Sequence, residues 1–164
     1  MKGIVATILT VLFLLWAGVR IVNHIQFDRN IGGYLKRAAD ANTVELAEKN
    51  LSVAVEYLER NGLTSGYTSI LWRTPDEDVD FWFTNLKSSL DELHSVKPEA
   101  AQLEKTNVLM KLRETLLDQG NKGSTSVTAP SGMSVFPNNT AYALWGVVSF
   151  ILAAVFIGVA LNDY

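Results

Sequence analysis

The sequence predicts an all-α membrane protein: two terminal transmembrane helices flanking a small antiparallel bundle of about three helices and a flexible tether. Three observations carry that expectation. Uncharged apolar stretches long enough to cross a bilayer stand at both ends. Between them, apolar residues recur every three or four positions behind recognisable helix caps. A run rich in Gly, Ser and Thr precedes the second apolar stretch. The expected division is 1–22 as the first span, 23–120 as a helical extramembrane domain, 121–139 as a linker, 140–161 as the second span and 162–164 as a tail.

From Gly3 to Val19 there is no charge, and apolar character resumes after Arg20 with Ile21 and Val22. A bilayer core needs roughly 20 helical residues, which Gly3–Val22 supplies, with Arg20 near enough to the end to reach the headgroups. A cleaved signal peptide would want a small residue where Leu15 stands, two positions before Ala17, so an uncleaved helix is expected.

Asn23–Ala41 reads as a juxtamembrane stalk, with a break or kink at Gly32-Gly33. Asn42-Thr43-Val44-Glu45 reads as a capping box with Asn42 at the cap. Ala47, Leu51, Ala54 and Leu58 then share one helix face, and Arg60-Asn61-Gly62 ends the helix. At Thr74-Pro75-Asp76-Glu77 threonine caps, proline takes the first helical position and glutamate returns. Val79, Phe83, Leu86, Leu90 and Leu93 follow as the buried stripe of that helix. A third helix is expected from Pro98, carried by Leu103, Met110 and Leu117 and by Leu109, Leu112 and Leu116. Asn121–Asn139 is a tether by composition. Ala141–Leu161 carries no charge, and Tyr142 and Trp145 sit where an aromatic belt would lie.

The string Gly33-Tyr34-Leu35-Lys36-Arg37-Ala38-Ala39-Asp40-Ala41-Asn42-Thr43-Val44-Glu45-Leu46-Ala47, with Gly66–Trp72 and Thr74–Asp78, resembles a group of uncharacterised bacterial membrane-anchored helical proteins with no known activity. The resemblance covers about the middle third of the chain. It implies a coherent domain and brings over no functional residue.

Composition removes several function classes. The chain has 164 residues, a net charge of -3 and no cysteine, which excludes disulfides, thiolate metal sites and cysteine nucleophiles. A pI near 5.4 argues against a nucleic-acid partner. Asp76-x-Asp78-x-Asp80 has the opening of a calcium loop, but Phe81 replaces the turn glycine and Lys87 the bidentate glutamate. Asp91-x-x-His94 has di-metal spacing, yet the only other histidine, His24, lacks the motif. No nucleophile elbow, His-Glu-x-x-His or phosphate loop appears. No catalytic, cofactor or metal site is therefore expected, and the protein is read as a non-enzyme.

Two sets of residues remain as interaction candidates. Tyr67, Trp72, Phe81 and Trp82 crowd the Thr74 corner, either as core or as an exposed patch for a partner or small ligand. In the second span, Ser149-x-x-x-Ala153 and Ala154-x-x-x-Gly158 permit close helix approach or self-association. Arg20, Arg29, Lys36, Arg37 and Lys122 outweigh Lys2, which puts the middle domain on the cytoplasmic side of a bacterial cytoplasmic membrane, both termini sharing the other side. Connections beyond about 60 residues escape that rule, so the opposite side stays open. The leading expectation is a two-span scaffold or adaptor presenting its bundle to a protein partner from the lipid bilayer. A sensory or small-ligand module is the alternative, and an oligomeric pore a third reading.

Overall fold

The computed structural model of the chain describes residues 2–69, 73–119, 124–133 and 140–161. It is all-α apart from one small hairpin. Among the described residues, two helices are long and apolar enough to cross a membrane, one at each end of a helical middle.

Helix α1 (Lys2–Phe27) does not end at the apolar boundary but runs on through a π-helical turn, Asp28–Gly32, into α2 (Gly33–Ala39). The break expected at Gly32-Gly33 is thus a widened turn within one continuous helix. Gly33 donates its N–H to the Asp28 carbonyl five residues back. A Cβ on Gly33 would lie 3.3 Å from that same carbonyl, so glycine suits the tight side of the turn.

Helix α3 (Val44–Arg60) begins one residue later than the sequence suggests. Thr43, not Asn42, is its cap, in extended conformation with its hydroxyl accepting the Leu46 N–H at 3.2 Å. That start places Val44 on the same buried face as Ala47, Leu51, Ala54 and Leu58. Gly62, at φ +66°, ends the helix: Leu63 N–H reaches Leu58 O at 2.9 Å and Gly62 N–H reaches Glu59 O at 3.2 Å.

The Thr74 corner is built in two steps rather than one. Pro75–Glu77 forms a single 3₁₀ turn, in which the Thr74 N–H and hydroxyl both donate to the Glu77 carboxylate. The long helix α4 (Val79–Ser95) starts only afterwards, capped by Asp78, whose Oδ1 accepts from Asp80 N–H at 3.0 Å and Phe81 N–H at 3.2 Å. Back-pairing causes the delay. Thr68 N–H bonds Glu77 O and Val79 N–H bonds Gly66 O, which pins residues 77–79 against the preceding loop. The later start also rotates the inward stripe to Val79, Trp82, Leu86, Leu90 and Leu93. Phe83 packs only partly against the core.

Helix α5 (Gln102–Leu116) likewise begins after, not at, Pro98. Leu112 and Leu116 are its buried residues, while Leu103 and Met110 are 71% and 58% exposed. At about 100° per residue, both lie roughly half a turn away from Leu112. Leu117 is buried too, but as the first residue of β1 (Leu117–Gln119). This strand pairs antiparallel with β2 (Thr125–Val127), Leu117 opposite Val127 and Gln119 opposite Thr125.

The tether expected over 121–139 is, in its described part 124–133, folded onto the bundle. Thr128 N–H bonds Leu116 O at 2.8 Å, and Met133 is 2% exposed within the single core cluster. Val127, Ala129 and Met133 give this segment an apolar face that its Ser/Gly content conceals. The final helix, α6 (Thr140–Leu161), packs antiparallel against α1.

Candidate functional site

Helix α4 meets the docked segment at Trp82. Its indole N–H donates to the Thr128 carbonyl at 2.6 Å, and the ring is 7% exposed. The neighbouring Phe81, a hundred degrees further round the first turn, is 65% exposed. Between them and residues 128–131 opens a cleft of about 620 Å³. Asp76, Glu77 and Asp78 line one side and Asp118 of β1 the other. None of these four carboxylates makes an ion pair among the described residues. Thr128 Oγ1 is buried beside the cleft without a hydrogen-bond partner. An aromatic face bordered by unpaired carboxylates attracts cations, because the ring quadrupole and the carboxylate charge act in the same direction.

The four aromatics singled out from the sequence therefore separate. Trp82 is a core wall of the cleft and Phe81 its exposed lip. Tyr67 is half-buried outside the cleft lining, with the Arg73 guanidinium 5.5 Å above its ring centre. Trp72 lies outside the described residues. Sequence reasoning missed Asp118 and Thr128, which arrive from a segment more than thirty positions away. The available signal was the indole N–H of Trp82: once buried, such a donor needs an acceptor.

The helix-packing face of α6 separates too. Ser149 and Ala153 are buried, whereas Ala154 and Gly158 face outward. The Trp16 ring packs directly onto Gly146, where a Cβ would sit 2.5 Å from it. Trp16 Nε1–H donates to the Tyr142 carbonyl at 3.1 Å, and the Tyr142 hydroxyl returns a bond to the Trp16 carbonyl at 2.8 Å. The two rings stack at 5.5 Å, and Phe13 meets Phe150 at 5.4 Å.

The histidines have local partners. His94 Nε2 lies 3.3 Å from Glu48 across α3 and α4, and His24 lies 3.6 Å from Asp28 one turn on. No group of three metal-ligating side chains occurs among the described residues. The chain matches no known family, no curated protein and no solved structure.

Proposed function

We propose that this is a two-span integral membrane protein whose bundle serves as a non-enzymatic scaffold, receiving a basic segment of a protein partner at the Phe81 cleft. The observation that carries this reading is Phe81 itself, 65% exposed above a cleft bordered by four carboxylates. A soluble domain gains nothing from exposing that ring, whereas a partner's Lys or Arg gains both aromatic and ionic contacts. A photo-crosslinker at Asn85, another cleft residue, tests it in the full chain. A defined crosslinked protein, lost in Phe81→Ala and in Asp118→Asn and weakened by salt, supports the scaffold. Crosslinks indifferent to all three changes overturn it.

The antiparallel pairing of α1 with α6 supports both termini on one side of the bilayer. The basic residues Arg20, Arg29, Lys36 and Arg37 support a cytoplasmic bundle. Reporters inserted at Gly123 and fused after Tyr164 are expected on opposite sides, with Gly123 cytoplasmic. Protease cleavage of the bundle in sealed, right-side-out cells refutes that sidedness.

A second reading, a ligand-responsive module, is favoured by the continuous helix from α1 to α2. A π turn stores one alternative hydrogen-bond register, and such turns recur at functional positions. A metabolite that raises the unfolding temperature of the wild type but not of Gly33→Leu supports this reading. A broad screen without a hit removes it.

A further inference from the structure

The four carboxylates around the Phe81 cleft are not equally free. Glu77 Oε2 accepts from the Thr74 N–H at 3.4 Å and from the Thr74 hydroxyl at 3.1 Å. Asp78 Oδ1 is taken up by the first backbone N–H groups of α4. The carboxylates of Asp76 and Asp118 make neither a hydrogen bond nor an ion pair among the described residues. They stand on opposite sides of the cleft, Asp76 from the 3₁₀ turn and Asp118 from β1. Thr128 also lines the cleft, and its Oγ1 is closed to solvent without a hydrogen-bond partner. Among the described residues no Lys, Arg or His of this chain lines the cleft, and Arg73 is held over the Tyr67 ring.

Counting donors selects the kind of cation. Two uncommitted carboxylates and one hydroxyl oxygen call for five N–H groups, a pair for each carboxylate and one for the hydroxyl. A guanidinium carries five along the edges of one plane, which leaves its face free to lie on an aromatic ring. An ammonium carries three from a single point. Phe81, the exposed lip of the cleft, supplies the ring. The docked segment also walls a second cleft, of about 430 Å³, toward the α1–α2 helix. There the Asp28 carboxylate and the Lys36 ammonium both line the space, so its charge picks out no one occupant.

We infer that the residue received at the Phe81 cleft is an arginine of the protein partner, not a lysine. Its guanidinium bridges Asp76 and Asp118, lies against Phe81 and gives its fifth N–H to Thr128 Oγ1. This deepens the scaffold reading and rests on it, because that reading asks only for a basic segment. A lysine in the same place would leave part of this acceptor set unanswered, and a neutral side chain would leave all of it.

The test uses the full chain in mild detergent, with a para-fluorine on the Phe81 ring read by fluorine NMR. The probes are short glycine–serine peptides with one central arginine, lysine or citrulline. The arginine peptide should shift the resonance and bind about tenfold tighter than the lysine peptide, the worth of one charged hydrogen bond. Citrulline, of the same shape but uncharged, should give no shift. Asp76→Asn and Asp118→Asn should each weaken the arginine peptide by about tenfold and bring it level with lysine. Asp91→Asn, on α4 but outside the cleft lining, should change nothing. Equal affinity for arginine and lysine, both lost in Asp118→Asn, overturns the arginine bridge and leaves the scaffold reading standing. An arginine preference indifferent to either Asp→Asn change overturns the bridge as well. So does displacement of the arginine peptide by millimolar calcium at constant ionic strength, because the site then answers to charge alone. No shift with either charged peptide also overturns the bridge. If the Asn85 crosslinks are then indifferent to Phe81→Ala, to Asp118→Asn and to salt, the scaffold reading falls with it.

Discussion

Trp82 and Phe81 are adjacent in the chain and meet opposite environments. Trp82→Ala should destabilise the full chain by about 3–5 kcal/mol, since it removes a core ring and strips the Thr128 carbonyl of its donor. Phe83→Ala should cost less, and Phe81→Ala should stay within about 0.5 kcal/mol. Urea unfolding in mild detergent gives that order directly. Caps form a second set. Asp78→Ala should cost about 1 kcal/mol and Asp78→Asn only a few tenths, because asparagine caps equally well. Thr74→Ala should cost less than Asp78→Ala, as its hydroxyl donates only to exposed Glu77. Glu45 adds a pH dependence. Its carboxylate is held below the ordinary range by its backbone N–H and by Thr43. A depressed pKa stabilises above the unfolded value, near 4.3, and that contribution fades as pH falls through the folded value. The wild type should thus exceed Glu45→Gln in urea midpoint at pH 7, by a margin that shrinks as the pH is lowered into the acid range. Capping chemistry was legible in the sequence at these sites, but the choice between neighbouring caps was not. Asn42 and Thr43 are both competent, and the burial of Val44 decides between them.

At the scale of the element, the two long apolar helices were legible because absence of charge over such a length is a local property of the sequence. Their mutual face was not, because it depends on a partner helix more than a hundred residues away. Small-residue spacing of four pointed equally to Ser149-x-x-x-Ala153 and Ala154-x-x-x-Gly158, and only the first faces α1. Gly146 escaped notice at a spacing of three from Ser149. Gly146→Ala should loosen the pair by about 1–3 kcal/mol, since the Trp16 ring it would strike is held by a hydrogen bond and a stack. Gly158→Ala meets nothing within 4 Å and should be close to neutral. The chain has no cysteine, so Phe13→Cys with Phe150→Cys gives a clean crosslinking readout of the pair in each background. For α5 the failure was of another kind. Its apolar residues are spread around the helix, and only contact with the rest of the bundle selects Leu112 and Leu116 over Leu103 and Met110.

For the whole molecule, the decisive feature is the docked segment 124–133. Its Ser, Thr and Gly content describes a linker, while three apolar residues and one carbonyl make it part of the core. It forms one wall of both clefts, so neither could be found from the helices alone. Met133→Ala should therefore cost about 2–5 kcal/mol, like any large core truncation. It should also speed hydrogen exchange at Trp82 and Leu116, which a true tether residue would leave untouched.

Burial of Met133 also bears on how the protein is made. The core is incomplete until this residue has been synthesised, and Met133 precedes Thr140 by only seven positions. At about 5–20 residues per second, the ribosome covers that interval in roughly one second. The bundle can therefore close only once Met133 has left the ribosome, by which time the residues of α6 are already being made.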